Sequence, residues 1–479
     1  MGDYMEKEEA HFQEIMEREK GLHRGLSTRQ LSMIAIGGAI GTGLFLGSGM
    51  AIGLAGPSVI LSYGIGAIIA FLLMGCLAEM TVAHPTSGSF GAYAEHYIGP
   101  WAGFTVRYAY WASIVVAVGT EVTAVSVYMK YWFPTAPGWM WVILFSALLI
   151  FVNATSVSLF GTIEYWFSMI KIVAIVGFIL LSAYVVFGTN TNPEIGIQNY
   201  TNAGGFLPNG WWGMWVAVCV ALFSYLSIEM IAVTAGEAKN PEKAVPKALR
   251  STIYRLIIFY ILTLAFMLMI VPWKAAGVDK SPFVKVMELL NIPGASGIMN
   301  FVVLIAALSS MNSQLYITTR MMFSLSRAGY APARFGQLSK RGVPVSALFF
   351  STIGIALATI LTIVSPNQAF MLMMGISMFG AMFTWMMIFI IHLYFRKKWV
   401  ASGGRDLPVR MWGYPYLTTL GAVLMFAILI TTWFTDMFKS TLTTGIPFLL
   451  VVTIGYFVWK KANERKVLVK KDGVSDHVK

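Results

Sequence analysis

The sequence predicts an all-α integral membrane protein with twelve transmembrane helices. Of its 479 residues, 57% are apolar and only 12% are charged, and the mean hydropathy is +0.70. A water-soluble chain of this length could not cover its surface with so few polar groups. The apolar residues occur in runs of about 20, the length that crosses the hydrocarbon core of a bilayer. Two of these runs are interrupted by glycine or polar residues near their centres, where unsatisfied backbone groups are costly.

Each predicted span is an apolar run bounded by charged or turn-forming residues. The runs, numbered spans 1 to 12, lie near residues 31–54, 57–83, 101–130, 138–156, 159–187, 211–235, 251–273, 296–325, 346–365, 367–393, 412–435 and 442–460. The segments between them are short, and the longest have about 20 residues. They leave no room for a separate soluble catalytic domain, so any chemistry must take place within the bundle.

The distribution of basic residues predicts how the chain is oriented. The N-terminal tail and the segments 236–255, 327–341, 396–410 and 460–479 together contain 26 of the 34 lysines and arginines. These segments all fall on one side if the chain crosses twelve times. The positive-inside rule therefore places both termini in the cytoplasm.

Composition also excludes several classes of function. The net charge of +12 is spread over short loops, so it does not form the basic patch of a nucleic-acid-binding protein. Cys76 and Cys219 both lie inside apolar runs, which argues against disulfides and thiolate metal sites. The spans contain no evident pair of nucleophile and base and no cluster of metal ligands. We therefore expect neither an enzyme nor a metal or cofactor requirement, and the expected partners are the lipid bilayer and a small solute.

Two interrupted spans divide the chain into two similar halves. Span 1 contains AIGGAIGTGLF at residues 35–45, and span 6 contains FSYLSIEMIAV at residues 223–233. Span 1 is predicted to leave the cytoplasm and span 6 to enter from outside, so the two five-span groups have opposite topology. This pattern is typical of the inverted repeats of secondary transporters. The predicted regions are a cytoplasmic tail 1–30, a first repeat 31–187, an extracellular loop 188–210, a second repeat 211–393, two further spans within 394–460 and a cytoplasmic tail 461–479.

The glycines of span 1 predict a site for a zwitterion. If the helix unwinds at residues 40–43, one half ends in free carbonyls and the other begins with free N–H groups. The amides of Gly41, Thr42 and Gly43 suit a carboxylate, and carbonyls near residues 36–39 suit an ammonium. The second break, at residues 224–227, would supply further carbonyls and hydroxyls. An α-amino acid backbone matches both sets of groups.

A simpler explanation of the glycines is helix packing. Gly37 and Gly41, like Gly43 and Gly47, have the GxxxG spacing that lets two helices approach closely. Packing alone explains neither Thr42 nor the polar break in span 6. A dinucleotide-binding interpretation of GTGLFLG fails because no βαβ unit surrounds it.

Several longer stretches resemble bacterial amino acid permeases of the amino acid, polyamine and organocation superfamily, in its amino acid transporter family, and the resemblance covers nearly the whole chain. The matching stretches are LHRGLSTRQLSMIAIGGAIGTGLFLGSG, LAEMTVAHPTSGSFGAYAEHYIGPWAGF, EYWFSMIKIVAIVG, AGEAKNPEKAVPKAL and NSQLYITTRMMFSLSRAGYAPARF. The resemblance implies a leucine-transporter-like fold, a 5+5 inverted repeat with two extra C-terminal helices, in the bacterial cytoplasmic membrane. It also implies import of an amino acid together with protons.

The resemblance further implies roles for individual residues. Residues 40–43 (Ile40, Gly41, Thr42 and Gly43) would bind the substrate, and Phe223 would occupy the gating aromatic position. Ser224, Tyr225, Leu226 and Ser227 would border the pocket. Relatives often carry glycines between this aromatic residue and the glutamate that corresponds to Glu229. The bulkier sequence here predicts a smaller pocket and a small neutral or hydroxylated amino acid as substrate.

Three ionisable residues within the spans are candidates for proton coupling. Lys171 lies ten residues after Gly161, which stands at the cytoplasmic start of span 5, so it is about 15 Å deep and its side chain cannot easily reach water. It is expected either to exchange a proton or to remain a charged structural group bonded to carbonyls of span 1. Ser309 and Ser310 of span 8 are its expected neighbours. Glu121 and Glu229 lie inside spans 3 and 6, and each is expected either to transfer protons or to fix a broken helix.

The remaining alternatives concern the type of transport. A proton-coupled importer is favoured, and an exchanger or a sodium-coupled symporter on the same fold stays open. A receptor or an open channel is disfavoured because two matched helix breaks indicate a closed central site.

Overall fold

The computed structural model describes residues 10, 12–18, 27–86, 88–188, 193–238, 240–275, 280–401, 403 and 406–475. In these ranges the regular structure is helical. The α-helices are α1 Thr28–Ala39, α2 Ser48–Ala55, α3 Val59–Ala83, α4 Ser89–Tyr97, α5 Pro100–Met129, α6 Gly138–Thr155, α7 Val157–Phe187, α8 Gly210–Tyr225, α9 Met230–Val233, α10 Pro241–Ile270, α11 Pro282–Leu289, α12 Ala295–Arg327, α13 Val345–Phe350, α14 Ile353–Val364, α15 Ala369–Ala401, α16 Tyr416–Thr431 and α17 Lys439–Ser475. The all-α membrane fold predicted from the sequence is confirmed.

Eleven helical segments of the described chain are long and apolar enough to cross a membrane. The first extends from Arg29 to Ala83 and has 55 residues, or roughly 80 Å at 1.5 Å per residue. It is interrupted after Ala39 and again at the short 3₁₀ turn Gly56–Ser58. Counting this segment as two crossings gives the predicted twelve, so that number and the inverted repeat stay predictions.

The helices differ strongly in how deeply they are buried. In the most apolar stretch of Gly210–Val233 every residue is buried, whereas only 22% of the residues are buried in the most apolar stretch of Val157–Phe187. The polar residues of the second interrupted span therefore face protein rather than lipid. Helix α7 instead lies at the periphery, and its few buried residues include Glu164, Ser168 and Lys171.

Both ends of the described chain lie at the same end of the bundle. Arg327 at the end of α12 donates a hydrogen bond from Nε to the carbonyl of Arg18 in the N-terminal tail, at 2.7 Å. Two residues further along, the carbonyl of Gly329 accepts a hydrogen bond from Trp459 Nε1 of α17, at 2.8 Å. An even number of crossings explains this placement. We call this end of the bundle the tail end.

Candidate binding site at two helix breaks

The first helix break separates α1 from the π-helix Gly43–Gly47. Helix α1 ends at Ala39, and Ile40 leaves the helical conformation with φ −86° and ψ 81°. The N–H of Gly41 turns back to the carbonyl of Ala39 at 3.1 Å. The chain is thus not a continuous α-helix where the sequence places its glycines, and backbone groups on both sides of the break need other partners.

The second break follows α8. Leu226 has an extended conformation with φ −57° and ψ 159°, and Ser227 has φ 76°. A left-handed φ is unusual for a residue other than glycine and stores backbone strain. Helix α9 then begins at Met230. The break was predicted at residues 224–227, but Ser224 and Tyr225 still belong to α8. Only the C-terminal part of the predicted range, from Leu226 onward, leaves the helix.

The first break packs against the last turn of α8, and glycine makes this contact possible. A Cβ atom on Gly43 would lie 2.8 Å from Cα of Ser224. A Cβ atom on Gly41 would lie 2.6 Å from Ser310 Oγ and 2.7 Å from Glu121 Oε1. Both positions therefore need glycine. The close approach envisaged by the packing explanation exists at Gly43, which packs on the backbone of α8, whereas Gly41 faces polar side chains.

Side chains of α7 and α10 contact the free carbonyls at the end of α1. The ammonium of Lys171 donates to the carbonyls of Gly37 at 2.8 Å and of Ile40 at 3.0 Å. The hydroxyl of Tyr260 lies 2.8 Å from the carbonyl of Ala39. Lys171 is completely buried, so its charge is held on a helix C-terminus, where the helix dipole favours a cation. This geometry agrees with the structural alternative for Lys171.

A carboxylate of the protein itself occupies the amide side of the break. The N–H of Thr42 donates to Glu121 Oε2 at 3.2 Å. The other oxygen of Glu121 lies 2.9 Å from the hydroxyl of Ser310, which is also 2.9 Å from the carbonyl of Gly38 and can donate to only one of them at a time. The expected neighbour Ser310 thus links the break to Glu121, while Ser309 bonds Glu164 instead.

Glu229 has an equivalent position at the second break. It accepts hydrogen bonds from the N–H of Ser227 at 3.2 Å, from the hydroxyl of Tyr110 at 2.8 Å and from Trp385 Nε1 at 3.0 Å. Each broken helix therefore donates a backbone N–H group to one buried glutamate. Both glutamates have the structural role considered from the sequence, and their role in proton coupling stays a prediction.

A narrow cavity lies beside the two breaks. Its lining comes from α1, the first break, α5, α8, the second break and α12. The lining residues are Gly38, Ala39, Gly41, Gly43, Ser113, Ile114, Ala117, Glu121, Phe223, Leu226, Ser227 and Gln314. The cavity thus contains both the aromatic residue and the glycines that the sequence analysis selected.

The predicted site residues divide into two groups. Gly41, Gly43, Phe223, Leu226, Ser227 and Glu121 line the cavity, whereas Ile40, Thr42, Ser224, Tyr225, Lys171 and Glu229 lie behind this lining. Tyr225 packs against the rings of Tyr63 and Tyr260. On α5 the sequence analysis selected Glu121 but not Ser113, Ile114 or Ala117, and on α12 it did not select Gln314. Gln314 ends a polar stretch of span 8, SSMNSQ at residues 309–314, and this cluster of polar residues is the signal that could have identified it.

The strained residue of the second break gives a stability prediction. We expect Ser227→Gly to preserve or raise the melting temperature, because glycine adopts a positive φ without strain. Ser227→Val should lower the stability by about 1 to 3 kcal/mol, because a β-branched side chain opposes this conformation. The measurement is thermal unfolding of the purified protein in detergent. A Val variant as stable as the parent protein would contradict the strain argument.

Buried ion pairs connect elements at the tail end of the bundle. Arg320 Nε of α12 donates to Glu237 Oε1 at 3.0 Å, and both side chains are almost completely buried. Glu95 of α4 bonds Arg107 at 2.7 Å and Arg18 of the N-terminal tail at 3.1 Å. Burial alone would raise the pKa of the Glu95 carboxyl, but the two guanidinium groups hold it below its ordinary value. These pairs tie the tail and several helices together on one side of the cavity.

Comparison with known proteins extends over almost the whole chain. A family model described as amino acid permease matches residues 30–469. The chain is 38% identical over 453 residues to the gamma-aminobutyric acid permease of Bacillus subtilis (strain 168), which covers 94% of this chain and 96% of that protein. It is also 38% identical over 440 residues to the aromatic amino acid transport protein AroP of Salmonella typhimurium (strain LT2), which covers 92% of this chain and 96% of that protein. The similarity therefore includes both helix breaks and the cavity between them.

Proposed function

The chain belongs to the amino acid permease family and is a multi-pass membrane transporter of amino acids, and from this premise we propose that it imports its substrate by proton symport. The observation that carries the proposal is the position of Glu121. This carboxylate lines the cavity and at the same time accepts a hydrogen bond from the Thr42 N–H group. One group is thereby connected both to the substrate path and to the broken helix.

The proposed binding mode uses the two ends of the first break. The substrate carboxylate takes the amide end at Gly41, Thr42 and Gly43, and the substrate ammonium lies toward the carbonyls of the cavity wall. In the structure, Glu121 already accepts a hydrogen bond from the Thr42 N–H group at this amide end. Because two carboxylates cannot share one N–H group without repulsion, substrate entry requires Glu121 to move or to lose its charge.

Protonation of Glu121 is the proposed coupling step. A neutral carboxyl group no longer repels the substrate carboxylate and binds the Thr42 N–H more weakly. A proton and an amino acid then load together from the outside and leave together into the cytoplasm by alternating access. Lys171 and Glu229 support this cycle by holding the two breaks, and they remain alternative proton carriers.

Sodium symport is a weaker candidate because of Lys171. Its ammonium already bonds two carbonyls of the first break. A sodium ion at the same carbonyls would face a fixed positive charge a few ångströms away. Exchange of one amino acid for another needs no coupling ion and therefore stays open as the second transport mode.

The orientation that we propose has both termini in the cytoplasm. Their common location at the tail end agrees with this topology. The basic segments 236–255, 327–341 and 396–410 supply the bias that the positive-inside rule requires.

Reconstituted transport tests the proposed function. The purified protein is first screened by thermal shift against the twenty amino acids, because a ligand that binds the folded state raises its stability. Uptake of each labelled hit into proteoliposomes is then measured with acidic medium outside. We expect accumulation that collapses with a protonophore and is unchanged when sodium is replaced by potassium.

Other outcomes distinguish the alternatives. Sodium-dependent accumulation would establish the sodium symporter. Counterflow without any accumulation under a proton gradient would establish the exchanger. Protein-free liposomes provide the background. The absence of transport for every amino acid would contradict the proposed function itself.

A further inference from the structure

Gln314 is a buried amide whose two ends have different surroundings. It lies on α12, is only 4% exposed and lines the cavity. Its Nε2 donates to Ser310 Oγ at 3.1 Å and lies 3.5 Å from Glu121 Oε1. Its Oε1 accepts no hydrogen bond from any residue that the structure describes. An unpaired buried acceptor of this kind is costly unless a ligand or a solvent molecule donates to it.

The surroundings fix which end of the amide faces the cavity. The NH₂ group lies between two oxygen atoms, those of Ser310 and Glu121. While Glu121 is ionised, a reversed amide would place its oxygen against the carboxylate, with an acceptor facing an acceptor. The amide oxygen is therefore the end that remains available to a ligand in the cavity.

Ser113, another polar residue of the lining, does not supply the missing donor. Ser113 of α5 uses its hydroxyl proton on the carbonyl of Ser377, at 2.6 Å. Its neighbours Ile114 and Ala117 in the lining are apolar. The wall formed by α5 and α12 thus presents the unpaired Oε1 of Gln314 beside apolar residues and the carboxylate of Glu121, and this oxygen can accept a hydrogen bond from an N–H or O–H group of a ligand.

We propose that Gln314 determines specificity by accepting a hydrogen bond from the side chain of the amino acid substrate. This inference rests on the proposed binding mode, in which the two ends of the first break hold the substrate carboxylate and ammonium. The α5 and α12 wall then faces the substrate side chain. The substrate class is a neutral amino acid with a hydroxyl or amide donor, and an apolar amino acid of the same shape binds less well because it leaves Oε1 unpaired.

Matched pairs of amino acids test this proposal on the unmodified protein. The probes are threonine and valine, serine and alanine, and tyrosine and phenylalanine, each pair differing mainly by a hydroxyl group. Dissociation constants are measured by thermal shift and by competition against uptake in proteoliposomes. In the pair that binds, the hydroxyl-bearing member should be favoured by about tenfold. Equal affinities, or preference for the apolar member, would overturn the proposal.

The variant Gln314→Met then locates the source of this discrimination. Methionine has a similar length but no hydrogen-bonding amide, so the affinity ratio should fall to about one. A purely structural role would weaken both members equally and leave the ratio unchanged, which would also overturn the proposal. Thr318→Val is the matched control, because Thr318 lies on the same helix but bonds its own helix at Leu315. It should retain the parental ratio.

Two failures can be told apart in this design. If none of the twenty amino acids is bound or transported, the proposed function is wrong. If amino acids are transported but the hydroxyl pairs are not discriminated, only the role of Gln314 is wrong. The second result needs no variant, so it stands even if Gln314→Met does not fold.

Discussion

Replacing Glu121 by Gln is expected to abolish proton-driven accumulation while leaving exchange of substrate intact. For one proton per substrate, an inward gradient of about two pH units can sustain about 100-fold accumulation, because each tenfold concentration ratio corresponds to about 1.4 kcal/mol. Glutamine cannot carry the proton, but its shape is that of the protonated acid. The accumulation ratio should fall to about one, and counterflow should lose its dependence on pH. The measurement is uptake and counterflow in proteoliposomes over a range of external pH.

The control for this prediction is a glutamate at the surface. Glu288 pairs with Lys280 at 3.1 Å, and both side chains are well exposed, so Glu288→Gln should have little effect. If a pH gradient still drives the Glu121 variant to accumulate substrate against its concentration gradient, another residue carries the proton. Repeating the experiment with Glu229→Gln would then test the second glutamate.

Replacing Lys171 by Met is expected to destroy both accumulation and counterflow. The change leaves two buried carbonyls of the first break without a donor, at about 1 to 3 kcal/mol each. It also removes the cation that interacts with the buried carboxylates of Glu164 and Glu121, and an uncompensated buried charge costs about 3 to 5 kcal/mol. The break should therefore lose its fixed shape. We expect a lower melting temperature and at least about 100-fold less transport.

Two further variants make this prediction specific. Lys130→Met removes an exposed lysine at the end of α5 and should have no effect. Lys171→Arg keeps the positive charge and the donors but cannot release a proton under ordinary conditions. If Lys171→Met folds, exchanges substrate normally and loses only its pH dependence, then Lys171 rather than Glu121 carries the proton. Transport with unchanged pH dependence would show that the lysine is dispensable.

The first helix break was predictable because its cause is local. Glycines weaken a helix wherever they occur, and a threonine between glycines in an apolar run has no packing explanation. The sequence therefore located the departure from helix at residues 40–43, and α1 ends at Ala39. The second break was placed slightly too early, because serine and tyrosine are compatible with the end of a helix. The left-handed residue is Ser227, and serine gives little advance sign of a positive φ.

The partners of the breaks were not predictable in the same way. Glu121 accepts a hydrogen bond from the N–H group of Thr42, which lies 79 positions before it in the chain. Lys171 donates to the carbonyl of Ile40, which lies 131 positions before it. Sequence identified both as buried charges but could not pair them with particular backbone groups. Gln314 was not selected, because span 8 carries several polar residues close together at residues 309–314 and the sequence does not show which of them faces the cavity.

By itself, the sequence determined that the chain crosses a bilayer many times and that one crossing must unwind at its glycines. Both follow from short-range physics, since apolar run length and backbone freedom depend on neighbouring residues alone. Only the tertiary structure decided which charged side chains bind the backbone groups at the breaks and which helices line the cavity. These contacts join residues far apart in the chain, and their geometry depends on the packing and rotation of every helix between them.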